Sequence, residues 1–314
     1  MRGLLLRWVC AVAFLAVTDG GYSDAIGREV GMSASQRVPD SDGARILRDA
    51  EDGRPEHLYF AALLYLYGKG GAEASPARAA ERFRRAAERG HAGSMVALGV
   101  LLRHGHGVRR DDESARAWFA HAARSGHVEG RWMLGVAELE APEPDYDEAR
   151  RLLTGAARDG SADAFHWLGV MAEYGLGLPE PDYAEAVSSY KVAGSKGHDG
   201  STFHLGLAYA YGRGANQDYA RALLLFQDGA KAGHAGSMYY VGLIALHGHG
   251  VPVDYGVARY WFARCVAAND AAFADRASAA LSELEASLAL AHDHETRVMD
   301  DLIAMNEPPP GLKW

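Results

Sequence analysis

The sequence predicts an all-α fold, a superhelical solenoid of about six stacked helix–turn–helix modules. Three observations predict it. First, helix-ending residues recur: Gly90, Gly126, Gly160, Gly197, Gly233 and then Asn269, at steps of 36, 34, 37, 36 and 36 residues. Gly and Asn are the residues that most readily take the left-handed conformation closing a helix. Second, fifteen residues before each stands a side-chain oxygen suited to a helix N-cap: Ser75, Asp111, Asp145, Asp182, Asp218 and Asp254. Third, a small residue and a Leu-Gly or Val-Gly pair recur four positions apart: Ser94/Leu98-Gly99, Gly130/Leu134-Gly135, Ala164/Leu168-Gly169, Ser201/Leu205-Gly206 and Ser237/Val241-Gly242.

The chain opens unlike the rest. Arg2 and Arg7 flank Leu4–Leu6, and an apolar run extends from Trp8 to Val17. A basic start followed by a short apolar run reads as a secretory signal peptide over 1–20, or as a signal anchor if it stays uncleaved. Residues 21–43 lack periodicity and read as a flexible linker. Ala44–Glu51, followed by Gly53, reads as a lone second helix capping the front of the stack across 44–53.

Residues 54–270 carry the six modules. In the second helix of each, helix B, the cap is followed after four residues by Ala79, Ala115, Ala149, Ala186, Ala222 or Ala258. After four more comes Phe83, Phe119, Leu153, Tyr190, Phe226 or Phe262. That spacing makes one buried stripe. The first helix, helix A, is apolar nearly all round, with Val100, Val136, Val170, Leu207 and Leu243 also repeating, so it is the inner helix packed on both sides. A glycine inside a helix costs about 1 kcal/mol against Ala, so its recurrence points to a close helix–helix contact. Gly-x-Gly loops at Gly68/Gly70, Gly105/Gly107, Gly175/Gly177, Gly212/Gly214 and Gly248/Gly250 join A to B with positive φ. The third module has Glu140-Ala141-Pro142-Glu143-Pro144 instead. Residues 271–305 read as C-terminal capping helices, and Pro308-Pro309-Pro310 falls in a tail at 306–314.

These residues resemble the Sel-1-like repeat family, relatives of the tetratricopeptide repeats. The second module carries the resemblance from Ser94 to Gly126, with Gly105-His106-Gly107-Val108 and Trp118-Phe119; the sixth does so from Ser237, with Gly248-His249-Gly250-Val251 and Trp261-Phe262. The resemblance, with the signal-like start, implies a scaffold or adaptor of the secretory pathway, and the specific role expected is endoplasmic-reticulum protein quality control, with an exported microbial effector or envelope regulator as the alternative. Members in the endoplasmic-reticulum lumen serve ubiquitin-ligase complexes in protein quality control, and bacterial members are exported effectors or envelope regulators. The cysteine-rich branch of the family does not fit, because only Cys10 and Cys265 exist.

Composition narrows the partner. Hydrophobic residues make up 48%, enough for a large core, and the net charge of −9 argues against nucleic acid. The expected partner is a protein or peptide on the concave face, with membrane contact only through an uncleaved N-terminal segment. Just before each Leu-Gly stand large side chains: Trp132-Met133, His166-Trp167, Phe203-His204 and Tyr239-Tyr240. One member of each pair faces the neighbouring helix and the other can line the concave face, giving Trp132, Met133, Trp167, His204 and Tyr240 as candidate partner-binding residues; core packing of these side chains is the competing and favoured reading.

No catalytic residue, metal or cofactor is expected. The pairs His104/His106 and His247/His249, and His292-Asp293-His294-Glu295, have metal-ligand chemistry. Yet His104 and His247 stand in the slot of Tyr67, Tyr174 and Tyr211. His91, His127, His198 and His234 recur on a turn at module period. Cys265 takes the place of Ala86 and Ala122, as a small buried thiol. A hydrolase or metal enzyme using Cys265 or the paired histidines is the opposing reading.

Overall fold

The computed structural model describes residues 43–306, with side chains through Leu290. The signal or anchor at 1–20, nearly all of the 21–43 segment, the tail beyond Asn306 and the side chains of His292–Glu295 therefore lie outside the described residues. The fold is all-α, a helix-hairpin solenoid, with no strand among the described residues. It forms two compact units, one reaching Gln217 and one starting at Asp218.

In the first unit, α1 (Gly43–Asp49) ends in a short 3-10 turn, Ala50–Asp52. Four antiparallel pairs follow. They are α2 (Pro55–Tyr67) with α3 (Pro76–Ala87), α4 (Ala92–His104) with α5 (Asp112–Arg124), α6 (Val128–Glu140) with α7 (Tyr146–Arg158), and α8 (Ala162–Tyr174) with α9 (Tyr183–Ser195). The A helix α10 (Asp199–Tyr211) completes the unit. The second unit holds α11 (Tyr219–Lys231), the pair α12 (Ala235–His247) and α13 (Tyr255–Ala267), and one continuous helix α14 (Ala274–Asn306).

Each boundary has a local cause. All six expected B-helix caps work: Ser75, Asp111, Asp145, Asp182, Asp218 and Asp254 each accept the backbone N–H three residues on. Such a cap is worth about 1 kcal/mol. Asn269, at φ 50°, is the one non-glycine residue with positive φ among the described residues, in the place the period assigned to a helix-closing glycine. The third module leaves α6 through Ala141 at φ −57°, ψ 152°, so its missing glycines go with a different exit from helix A.

Small residues set the packing distances. A Cβ on Gly99 would lie 2.5 Å from the Phe119 ring, and one on Gly169 2.5 Å from Tyr190, so Leu-Gly is where A meets its own B. The small residue four positions earlier serves a different neighbour: a Cβ on Gly130 would lie 2.4 Å from Ala122, on the B helix of the preceding module. The second loop glycine has a third role. Gly107 lies on Pro76, Gly177 on Tyr146 and Gly214 on Tyr183, each at the start of the preceding module's helix B. In the second unit, Gly250 lies on Tyr219 in the same way. Ion pairs also link consecutive modules: Arg103 reaches Glu140 at 2.5 Å and Arg150 reaches Glu185 at 3.2 Å.

Candidate functional site

The candidate ladder divides on burial. Trp132 is 6% exposed, Met133 1% and Trp167 6%, so these three belong to the core. The reason is that successive A helices touch one another, α4 against α6 and α6 against α8, and close over the inner positions. His204 and Tyr240 remain half-buried. His204 stacks on Tyr190 at 4.9 Å; in the second unit Tyr240 stacks on Phe226 at 5.1 Å.

The histidines that follow the helix-closing glycines have a function the period alone does not reveal. They cap the A helices. His91 Nδ1 accepts the Ser94 N–H at 3.0 Å, His198 Nδ1 the Ser201 N–H at 3.0 Å, and His234 Nδ1 the Ser237 N–H at 3.1 Å. The Ser Oγ lies within 3.1 Å of the same nitrogen each time. An N-cap needs an acceptor, so the capping nitrogen is unprotonated. The motif is His-x-Gly-Ser, and the serine three residues on is the signal for it. Where the serine is Gly130, His127 makes no such cap and lies 3.1 Å from Glu129. Where the histidine is Ser161, its hydroxyl caps Ala164 at 3.1 Å.

Three helices of the first unit bring together a polar cluster. Glu173 on α8 accepts from Tyr190 Oη on α9 at 2.7 Å and from His204 Nδ1 on α10 at 3.0 Å, both at Oε2. Burial pushes the Glu173 carboxyl up, but these donors more than offset it, and the group stays below the usual carboxylate range. Tyr190 is held well above the usual phenol range by burial and by that carboxylate. His166, buried, stacks on His198 with centroids 4.2 Å apart. Burial first, then His198 and His204, drives His166 well below the ordinary imidazole range. The cluster is hydrogen-bonded within itself.

The paired histidines do not assemble a ligand set. The His247 and His249 rings are 5.6 Å apart, and His249 stacks on Tyr219 at 4.7 Å. Among the described residues no three His, Cys, Asp or Glu side chains gather to hold a metal ion. Cys265 is buried, its Sγ–H donating to the Ala235 carbonyl at 3.3 Å, and burial followed by Asp270 pushes the thiol up to about 11. A thiol so placed is a poor nucleophile. Mass-spectrometric mapping of iodoacetamide labelling at pH 7.5 is expected to leave Cys265 unmodified in the folded chain and to modify it in guanidinium. Fast labelling of the folded chain would contradict its placement.

One exposed surface was not foreseen. On α13 and the loop before it, Val253 is 50% exposed, Val257 39% and Tyr260 53%, at the spacing of one helix face. Arg264 continues that face, with its guanidinium 5.8 Å from the Tyr260 ring and 5.6 Å from that of Trp261. On α11, Leu224 is 63% exposed at the register position of Tyr260. That position lies two residues before the buried aromatic or Leu of helix B and elsewhere holds Glu81, Ala117, Arg151 and Ser188.

Paired helices of 12 or 13 residues, locked by small residues, define a helical-repeat protein. The chain belongs to the Sel1 repeat family, whose model matches residues 56–91, 92–127, 128–161, 162–198, 201–234 and 235–270. A Sel1 repeat protein from Oxalobacter formigenes is similar in structure (TM-score 0.63, 24% identity) over 72% of this chain and 98% of that one. So is a protective antigen present in uropathogenic Escherichia coli strains (TM-score 0.61, 24% identity), over 90% of this chain and 59% of that one. In sequence, the mouse DAP3-binding cell death enhancer 1 is 32% identical over 140 residues, 43% of this chain. The match spans 27% of the mouse protein's length.

Proposed function

We propose that the chain is a non-catalytic module that binds a protein or peptide, working after export from the cytoplasm. The observation that carries this reading is the exposed Val253–Val257–Tyr260 face on α13. Large apolar side chains grouped on one solvent-facing surface mark an interaction site. The mouse relative's name, which describes binding to another protein, supports the same class. His204 and Tyr240, the two inner-face candidates that keep some exposure, are proposed as secondary contacts. Export is supported by the basic start and the apolar run Trp8–Val17. Of the two settings raised by the resemblance, we favour the exported microbial regulator over the endoplasmic-reticulum adaptor, a reading supported by the bacterial source of the two similar structures described above.

The test is affinity capture from the native source with wild type, with Val257→Ser/Tyr260→Ser, and with His204→Ala/Tyr240→Ala. Loss of a captured protein with the first pair, at unchanged helicity, is the expected result. Full retention by both pairs would sink the assignment of these surfaces.

A further inference from the structure

We propose that the junction between the fourth and fifth modules is an acid-operated latch, in which protonation of the stacked pair His166/His198 releases the first turn of α10 from α8. The geometry argues for it in three ways. The two rings lie nearly parallel, 20° apart, with centroids 4.2 Å apart. The Ser201 hydroxyl stands between them, 2.9 Å from His166 Nδ1 and 3.1 Å from His198 Nδ1. And His198 Nδ1 already accepts the Ser201 N–H at 3.0 Å.

A proton on His198 Nδ1 would therefore face another donor. It would also place a cation at the positive end of α10, which the helix dipole disfavours. A second proton, on His166, would set two cations face to face in a buried space. The neutral pair holds α10 to α8; the charged pair cannot.

Other groups face the pair from each packed element. On α8, Asp163 Oδ1 lies 3.8 Å from His198 Nε2, and Glu173 is engaged by His204. From α9, the Tyr190 ring lies 5.8 Å from His166. On α10, Asp199 favours a charged His198, and the His204 ring lies 5.6 Å from His166. Burial outweighs Asp163 and Asp199, so His198 lies below the ordinary imidazole range, and His166 lies further below it.

The sign follows. Both groups are depressed in the closed junction, so the stability they confer is fully present above the free imidazole value of about 6.5. Below that value the open form takes up protons that the closed form refuses, and stability is lost as pH falls toward the closed-form values. At pH 5.5 each imidazole can favour opening by up to about 10-fold, and the pair by up to about 100-fold.

Hydrogen exchange of the full chain at pH 7.5 and 5.5, corrected for intrinsic rates, reads this directly. Protection of the amides at 199–204 is expected to fall in wild type, by up to about 100-fold. Amides at 114–117, in the first turns of a helix whose Ser114 N–H is capped by the Asp111 carboxylate, serve as the unchanged reference. His198→Ser supplies the hydroxyl cap that Ser161 gives α8, and His166→Phe takes the residue type of Phe203 at the same register. The double variant is expected to hold its protection at both pH values. His198→Ser alone is expected to make the fall smaller, to no more than about 10-fold, and decides the matter if the double variant does not fold. Wild-type protection at 199–204 that does not change with pH, or an equal fall in His198→Ser, overturns the latch.

Discussion

Phe119→Ala is expected to destabilise the first unit by about 3–5 kcal/mol, the cost of emptying a large aromatic site in a packed core. The ring is fully buried, and Gly99 beneath it has no side chain with which to fill the space. Relaxation would have to come from the backbone of α4, which packs on its other side against α3 of the preceding module. Whole domains are stable by only about 5–15 kcal/mol. In a repeat stack that stability is a sum over modules and their interfaces, so one lost interface is enough to separate unfolding of the first unit into steps. Urea unfolding followed by circular dichroism checks the size of the effect. Phe60→Ala, at a ring 39% exposed on α2, is the comparison and should cost less than half as much. Equal shifts in the two variants would show that the B-helix aromatic is not the anchor of its module.

How far the molecule could be read from its residues depends on which forces act locally. Helix ends were legible because each rests on one residue: an Asp or Ser oxygen at the start, a left-handed Gly or Asn at the end. Repetition then separated signal from accident, and Asn269 was readable as a substitute for glycine for that reason. Burial of the inner face was legible only in outline, from an A helix apolar nearly all round. Trp132, Met133 and Trp167 have the composition of a binding surface, and what hides them is the distance between A helices of successive modules, a tertiary quantity with no counterpart in a single module. The capping histidines were visible as a period but not as caps, although Ser94, Ser201 and Ser237 stand three residues after them. His166 was readable as half of an aromatic pair; its meeting with His198 and His204 depends on how α8 and α10 stack. The α13 face could have been found by comparing register positions, since Leu224 and Tyr260 stand where other modules place charged or small side chains.

The loop glycines allow a sharper test, because two of them share a backbone conformation and differ in surroundings. Gly126 has φ 85° and would give a Cβ nothing to touch within 4 Å. Gly126→Ala should therefore cost only the left-handed penalty, about 1–2 kcal/mol. Gly107 has φ 72°, and its Cβ would fall 2.3 Å from the Pro76 carbonyl carbon and 2.5 Å from the Ala77 nitrogen. Both are backbone atoms at the start of α3, and no rotamer change can move them aside. Gly107→Ala should pay the same left-handed penalty plus an overpacking cost, roughly 2–5 kcal/mol together. Its effect should also fall in a different place. Gly126→Ala loosens the end of its own helix, whereas Gly107→Ala pushes the loop of the second module off the first, so hydrogen exchange should quicken at residues 78–80 of α3, in the neighbouring module. If the two variants lose equal stability and α3 stays protected in both, the second glycine of the loop serves only its own turn, and contact between loop and helix start does not set the spacing of the modules.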